Sequence, residues 1–313
     1  MRKKSSSKNI FGMWSLPVLA LVLSVISGTA TAAPVMGPVM APVMVSTEWL
    51  GKHLNDPDIV VVDMSSDETQ YSRFHLPGAT YLPYYYLVRQ RKSDKVVVRL
   101  SRDELVYTLG QVGITRNSYV ILYDDVGGLN VGRMFFELES IGHPRVSVLD
   151  GGLVKWILEG RKVVNIPIQR PPVRYGEVGK GINNEATIQD VDAAQKKGTL
   201  IIDARSHEEY VGDLKKKTGG HVAGARWWEW SNSVAMNKGF VLKSPQSLKA
   251  KLANFGLTSP QQPVIAYCHT GHRAAQTYLT LRSLGFKNVR LYAHSMGEYD
   301  LLRKAKLVRG MKP

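Results

Sequence analysis

The chain has 313 residues, of which 44% are hydrophobic and 21% are charged, and this ordinary globular balance excludes wholesale disorder and a collagen-like repeat. Lysine and arginine number 41 against 26 aspartates and glutamates, so the formal net charge is +15 at pH 7. The single cysteine excludes an intrachain disulfide and a cysteine-rich zinc site, and the length indicates about two domains.

The amino terminus has the three-part pattern of a secretory signal. Basic residues between positions 2 and 8 precede an apolar run at 16–26, and small residues with an Ala-x-Ala sequence follow up to position 33. The apolar run is too short to span a bilayer comfortably, so a retained anchor is the weaker interpretation. We predict a signal peptide at 1–33, export to the periplasm, and no stable membrane insertion after cleavage.

A Pro-Val-Met triplet recurs every four residues in the next segment, 34–45. Proline at this density favours an extended, semi-rigid linker. The methionines of the repeat are soft ligands of the kind that copper(I) accepts, but nothing else nearby supports a metal site. We therefore expect a linker at 34–45, and neither a metal nor a cofactor.

The rest of the chain contains the same plan twice, with matching points about 140 residues apart. Each copy has an apolar strand ending in aspartate, a polar stretch that reaches a tyrosine, a His-x-x-Gly-Ala turn, a helix and two further apolar strands. The matching residues are Asp63 and Asp203, Tyr71 and Tyr210, His75 and His221, and Tyr123 and Tyr267.

Short apolar strands that alternate with amphipathic helices are typical of βα units around a parallel sheet. We therefore predict an α/β fold with two similar domains, at 46–165 and 185–305, each a parallel sheet flanked by helices on both faces. Ser101 and Ser244 are the predicted N-caps of one helix in each domain. Prolines and glycines predict an interdomain linker at 166–184.

The one cysteine, Cys268, stands between a predicted strand at 264–267 and a helix that begins near Ala274. This places the thiol at the carboxyl end of a parallel strand, where α/β sheets bind ligands. It also places the thiol at the start of a helix, whose unpaired N–H groups favour an anion and stabilise a thiolate. We interpret Cys268 as an accessible nucleophile; the alternative is a small buried hydrophobic residue.

Five residues complete this loop and are candidates for binding an anionic substrate: His269, Thr270, Gly271, His272 and Arg273. The glycine lets several backbone N–H groups point at one bound atom, and the basic side chains can attract a dianion. Two alternatives stay open, namely histidine rings without a role and an arginine that pairs with a carboxylate. We expect Asp203 and Arg205, at the end of a neighbouring strand, to form an ion pair that braces the loop.

Two segments are specific enough to suggest a family. Residues 71–79 contain an aromatic residue, three further residues and His-Leu-Pro-Gly-Ala, and residues 268–273 form a six-residue loop from cysteine to arginine. Asp-Ala-Arg at 203–205 and Glu-Tyr at 209–210 precede that loop. With these motifs, residues 45–301 resemble the two-domain rhodanese-type sulfurtransferases. The resemblance implies a catalytically silent first domain, in which Asp124 stands where the second domain has Cys268.

The resemblance also implies an activity, the transfer of a sulfane sulfur through a persulfide on Cys268. The donor is expected to be thiosulfate or a related small anion such as mercaptopyruvate, and the acceptor cyanide or a thiol. Within the family, thiosulfate-specific loops usually carry cationic side chains and mercaptopyruvate-specific loops carry small polar ones. The loop here departs from both, and its histidines and arginine favour thiosulfate.

Other functions remain as alternatives. A non-enzymatic sulfane-sulfur carrier or a thiol-based sensor shares the first step, because the chain has no second cysteine to resolve a persulfide. A cysteine phosphatase is disfavoured, since that class has five residues between cysteine and arginine and this loop has four. No nucleic-acid partner is expected, because neither a basic helix nor a basic-aromatic strand motif is present.

Overall fold

Two parallel β-sheets, one in each half of the chain, organise the fold. The computed structural model describes residues 41–303 and 306–313. The predicted signal peptide and most of the predicted linker lie outside these residues. Among the residues described, no helix has the length and apolar character needed to cross a membrane.

The secondary structure alternates between strands and helices along both halves. The described strands are β1 (Met44–Val45), β2 (Ile59–Asp63), β3 (Thr80–Tyr81), β4 (Val88–Gln90), β5 (Val97–Arg99), β6 (Tyr119–Tyr123), β7 (Val146–Leu149), β8 (Leu200–Asp203), β9 (His221–Val222), β10 (Ala225–Trp227), β11 (Val234–Ala235), β12 (Val241–Leu242), β13 (Val264–Tyr267), β14 (Val289–Leu291) and β15 (Leu307–Val308). The described α-helices are α1 (Thr47–His53), α2 (Glu68–Arg73), α3 (Arg102–Gln111), α4 (Leu129–Ser140), α5 (Gly152–Leu158), α6 (Ile188–Ala193), α7 (His207–Val211), α8 (Pro245–Asn254), α9 (His272–Ser283) and α10 (Ser295–Arg303).

The first domain contains a five-stranded sheet in the order β1-β7-β6-β2-β3, in which every neighbouring pair is parallel. Val60 and Val62 of β2 pack in the cluster that contains α3 and α4, whereas Ile59 and Val61 pack in the cluster that contains α1 and α5. Successive side chains of a strand point to opposite faces, and both faces are covered here, so β2 is apolar up to its last residue, Asp63.

The second domain repeats this arrangement with a four-stranded parallel sheet in the order β10-β8-β13-β14. The predicted fold class is confirmed. The two domains also share an equivalent buried hydrogen bond. The hydroxyl of Tyr123 donates to Asp63 in the first domain, and that of Tyr267 donates to Asp203 in the second. Each half therefore ties the end of one central strand to the end of its neighbour.

The structure moves two of the expected domain limits by a few residues. Met44 and Val45, assigned to the linker, form β1 and pair with Val148 and Leu149 of β7. At the other end, β15 pairs with β9, so the second domain continues past residue 305. Two-residue strands are too short to show a periodicity, which is why the sequence pattern does not reveal them.

The two domains pack against each other through α4 and α9. Val131 and Met134 of α4 lie in the same buried apolar cluster as Ala275 of α9. Gly132 permits this close approach, because a Cβ at its position would lie 2.7 Å from the carbonyl oxygen of Ala275. The packing brings the first domain against the loop that contains Cys268.

Candidate active site

Cys268 lies between β13 and α9, at the carboxyl end of the second sheet. Its backbone N–H donates to the hydroxyl of Ser295 over 3.0 Å, and its carbonyl accepts from the N–H of Met296 over 3.1 Å. The carbonyl of His269 accepts from the N–H of Gly297 over 2.9 Å. The start of α10 therefore holds the first part of the loop in place.

The thiol of Cys268 is buried, which corrects the expectation of an accessible nucleophile. Its residue is 1% exposed and belongs to the apolar cluster that runs beneath the domain interface. The physical reason is that the first domain covers the loop, where Tyr84 and Asn130 both contact His272. The first domain therefore forms the outer wall of the site.

Gly271 supplies the backbone conformation that turns the loop into α9. Its φ of +80° lies in the left-handed region, and a Cβ there would lie 2.4 Å from the carbonyl oxygen of Ala293. Within the described part of the chain, no acceptor receives a hydrogen bond from the backbone N–H groups of residues 269–274. Unpaired N–H groups at the amino terminus of a helix, together with the helix dipole, generally favour an anion.

The equivalent loop of the first domain already holds an anion of its own. Asp124 follows Tyr123 just as Cys268 follows Tyr267. Its carboxylate accepts four backbone hydrogen bonds of 2.9–3.2 Å from that loop and from the first turn of α4. Burial raises the pKa of Asp124 to about 6, and these N–H groups oppose the shift. In the first domain, the loop amides thus surround a carboxylate at the position of the cysteine.

His272 is held by the first domain and carries no charge at neutral pH. Its Nε2 lies 2.8 Å from Oδ1 of Asn130, and its ring centroid lies 4.1 Å from that of Tyr84. Burial lowers the pKa of His272 to about 4, and the charges of Arg133 and Arg273 act in the same direction. This low pKa argues against a positive charge on His272 as the source of attraction for a dianion, and the role of His272 in substrate binding stays a prediction.

The other side chains of the loop differ in their surroundings. The side chain of His269 is exposed, and Thr270 is half-buried. Arg273 donates from Nη1 and Nη2 to the two carboxylate oxygens of Glu209 on α7. This is the alternative considered for Arg273, a pairing with a carboxylate, and it offsets the charge proposed for substrate binding.

The predicted ion pair between Asp203 and Arg205 is present and reaches the residue before the cysteine. The Arg205 guanidinium donates to both carboxylate oxygens of Asp203, and its Nη2 also donates to the carbonyl of Gly220 over 2.7 Å. The hydroxyl of Tyr267 donates to the same carboxylate over 2.6 Å. Asp203 thus connects Arg205 to the strand end from which Cys268 follows.

Three residues that contact the loop were not predicted from the sequence, namely Tyr84, Asn130 and Ser295, and neither was Arg133, which lies three residues after Asn130 on α4. Their signals are weak, since Tyr84 stands in a run of three tyrosines and Arg133 interrupts an otherwise apolar helix pattern. Among the described residues, no group of three or more histidine, cysteine, aspartate or glutamate side chains is suited to hold a metal ion.

Fold and site together define a tandem α/β protein with one cysteine loop, placed at a helix amino terminus and covered by the other domain. A family model described as Rhodanese-like domain matches residues 46–159 and 187–301. The chain therefore belongs to the rhodanese-like family, as a two-domain sulfurtransferase.

Individual relatives cover most of the chain. It is similar to a thiosulfate sulfurtransferase of Azotobacter vinelandii, with 31% identity over 257 residues that cover 80% of this chain and 91% of that protein. It is also similar to the sulfur carrier protein TtuD of Thermus thermophilus, with 28% identity over 283 residues that cover 85% and 96%. Among solved structures, it resembles the 3-mercaptopyruvate sulfotransferase SseA of Escherichia coli, with a TM-score of 0.69, 25% identity and coverage of 82% and 99%.

Proposed function

We propose that the protein moves a sulfane sulfur from thiosulfate to cyanide or to a thiol through a persulfide on Cys268. The loop around Asp124 is the observation that carries this proposal. There, four backbone N–H groups hold a carboxylate. In the second domain the N–H groups of residues 269–274 have no acceptor within the described residues, and Cys268 stands in place of the carboxylate. A negatively charged sulfur is an anion suited to that position.

The reaction has two half-reactions. The Cys268 thiolate first attacks the outer sulfur of thiosulfate, so that a new S–S bond forms, the S–S bond of the donor breaks, and sulfite leaves with the electron pair. Cyanide then attacks the terminal sulfur of the persulfide, leaves as thiocyanate and returns the thiolate. No outside oxidant or reductant is needed, because the sulfane sulfur passes from one nucleophile to the next. Such a covalent relay produces ping-pong kinetics.

The loop amides lower the energy of both charged sulfur states. They are fixed before the reaction by the contacts of the loop with α10, so little reorganisation is required when charge develops on the terminal sulfur. The buried surroundings of Cys268 strengthen these electrostatic interactions, since the local dielectric constant is lower than that of water.

Thiosulfate is the favoured donor for two reasons. The curated relative from Azotobacter vinelandii is named a thiosulfate sulfurtransferase. Residues 1–33 contain four basic and no acidic residues, so the chain without them has a formal net charge of 15 − 4 = +11, which produces a positive field that concentrates small dianions. Mercaptopyruvate is the second donor to test, because the similar Escherichia coli structure is that of a 3-mercaptopyruvate sulfotransferase.

A sulfur carrier is the second candidate function, supported by the similarity to a Thermus thermophilus protein with that name. Carrier and enzyme share the formation of the persulfide. They differ in the next step, since a carrier without turnover releases one sulfur per chain, whereas an enzyme produces many equivalents of product.

Thiocyanate formation from thiosulfate and cyanide tests the proposed function. We expect multiple turnovers by the wild type, one added sulfur in its intact mass after exposure to thiosulfate alone, and neither result with Cys268→Ser. Unchanged circular dichroism of the variant is the control for folding. Thiocyanate production by Cys268→Ser would contradict the proposal, as would turnover of a phosphate ester in the absence of any activity with thiosulfate.

We further propose that the protein is exported, on the basis of the signal pattern at 1–33. Fractionation of cells that express the full chain, followed by intact mass of the recovered protein, tests this. Recovery from the periplasm without the first 33 or so residues is the expected result. Full-length protein confined to the cytoplasm would contradict export.

A further inference from the structure

Arg133 of α4 is a buried cation with unused hydrogen-bond donors. It is 0% exposed, and its Nε donates to Glu137 over 2.8 Å. Within the described residues, neither Nη1 nor Nη2 has a hydrogen-bond partner. A buried guanidinium whose N–H groups lack acceptors is costly, because each group has given up its hydration. Such an arrangement is expected where a ligand supplies the acceptors.

The neighbours of Arg133 lead directly to the cysteine loop. Asn130 lies three residues earlier on α4 and therefore on the same side of the helix. Its Oδ1 is within hydrogen-bond distance of Nε2 of His272. The ring of Tyr84, also of the first domain, packs against the ring of His272. The cluster of Arg133, Asn130, Tyr84 and His272 thus joins the first domain to the loop of Cys268.

The hydroxyl of Tyr84 has the same property as the Nη groups of Arg133. Its oxygen is buried and has no well-formed hydrogen bond within the described residues, although Thr270 lies beside it. Burial raises the pKa of Tyr84, the charge of Arg133 opposes this shift, and a charge on Cys268 adds to it. Tyr84 is thus within electrostatic reach of both Arg133 and the reacting sulfur.

Like Arg133, which is paired with Glu137, the other arginines near the site are paired with carboxylates. Arg273 is paired with Glu209, and Arg205 with Asp203. Arg99 shares Glu137 with Arg133, but its three guanidinium nitrogens all donate, to Glu137, Glu185 and Ser140. Arg133 therefore differs from these three in offering, within the described part of the chain, two free donor nitrogens.

We propose that Arg133 and the Tyr84 hydroxyl, both from the catalytically silent domain, bind the oxyanion end of the sulfur donor. The inference rests on the proposed sulfur transfer. The Nη groups hold two oxygens of a sulfonate or carboxylate in the forked geometry that guanidinium groups favour, and the tyrosine hydroxyl donates to the same anionic group. The donor then extends across the domain interface, with its sulfane sulfur at Cys268.

This position explains how the first domain contributes to the reaction without a cysteine. When the S–S bond of thiosulfate breaks, the electron pair moves onto sulfite, and a fixed cation beside that group stabilises the developing charge. A carboxylate at the end of a mercapto acid has the same recognition chemistry. Three donors therefore test this recognition. Thiosulfate carries sulfonate-type oxygens, mercaptopyruvate carries a carboxylate, and an uncharged organic trisulfide carries neither.

Steady-state kinetics with these donors test the inference on Arg133→Met and on the matched control Arg99→Met. We expect Arg133→Met to lower kcat/KM about 100-fold for whichever anionic donor the wild type uses, with little change for the trisulfide. Arg99→Met removes the other arginine from Glu137 and is expected to keep the donor preference of the wild type. Equal losses with charged and uncharged donors, or unchanged use of the anionic donor by Arg133→Met, would overturn the inference.

Tyr84→Phe provides a second variant, which keeps the ring on His272 and removes only the hydroxyl. We expect its KM for the anionic donor to rise about 10-fold and its use of the trisulfide to be unchanged. If Arg133→Met does not fold, this variant decides the question, and an unchanged KM overturns the inference. If the wild type transfers no sulfur from any donor, the proposed function itself is contradicted. If the wild type is active and both variants behave like it, only the role of Arg133 and Tyr84 is contradicted.

Discussion

Arg273 donates two hydrogen bonds to Glu209, one to each carboxylate oxygen, over 2.5 and 2.9 Å. The pair joins the last residue of the cysteine loop, which lies in the first turn of α9, to α7. Burial opposes ionisation of Glu209, but the hydrogen bond and charge of Arg273 hold its pKa at about 2. At neutral pH both partners are charged, and the orientation of Arg273 is set by the carboxylate.

The first prediction concerns this pair. We expect Arg273→Ala and Glu209→Ala each to lower kcat/KM for thiosulfate about 10-fold, and the double variant to be no worse than either, because both changes release the same anchor of the loop. A double-mutant cycle of the kinetics measures this. Arg290→Ala, which breaks the ion pair with Asp190, is the control and is expected to keep full activity. Additive losses would instead indicate that Arg273 contacts the donor independently of Glu209.

The second prediction concerns Gly271. Alanine at this position meets both a left-handed φ of +80° and the carbonyl oxygen of Ala293 at 2.4 Å, so we expect the loop to be displaced and persulfide formation to be lost. Gly285 has a φ of +91°, and a Cβ at its position would meet nothing within 4 Å, which makes Gly285→Ala a control for backbone strain alone. Intact mass after exposure to thiosulfate should show the added sulfur in the control and not in Gly271→Ala. Persulfide formation by both variants would contradict the role of the loop geometry.

The third prediction concerns Asp124. Asp124→Ala removes the acceptor of four backbone N–H groups, and we expect the free energy of unfolding to fall by about 3 kcal/mol. Asp125→Ala is the matched control, since that carboxylate accepts from Ser66 at the exposed surface, and we expect a loss of less than about 1 kcal/mol. Urea denaturation measures both values. Similar stabilities of the two variants would show that the amides around Asp124 need no anion.

The fourth prediction concerns pH. The pKa of His272 is lowered from 6.5 to about 4 in the folded protein, so the unfolded chain binds a proton at this residue first as the pH falls. Its contribution to stability is therefore complete above pH 6.5 and is lost progressively as the pH falls towards 4. We expect the wild type to lose more stability between about pH 7 and pH 5 than His272→Gln, measured by denaturant unfolding at both values. An identical pH dependence would show that His272 titrates normally in the folded state.

The elements that flank the cysteine were accessible to prediction because their causes are local. An apolar run followed by a polar loop and a helical pattern is sufficient to place Cys268 between β13 and α9. Ser101 caps α3 together with Glu104, and Ser244 caps α8, both as expected from side chains that act within one turn. The duplication of the fold was visible for the same reason, since each half contains the same short motifs in the same order.

The environment of the site side chains was decided by packing between the domains. Because α4 lies against α9, the half-buried ring of His272 has a lowered pKa, and Asn130 and Tyr84 contact this ring from more than a hundred residues away in the chain. Residue types and spacing specify which groups can ionise or donate. Whether they do so depends on burial and on the partners that distant segments bring, and these are properties of the assembled fold alone.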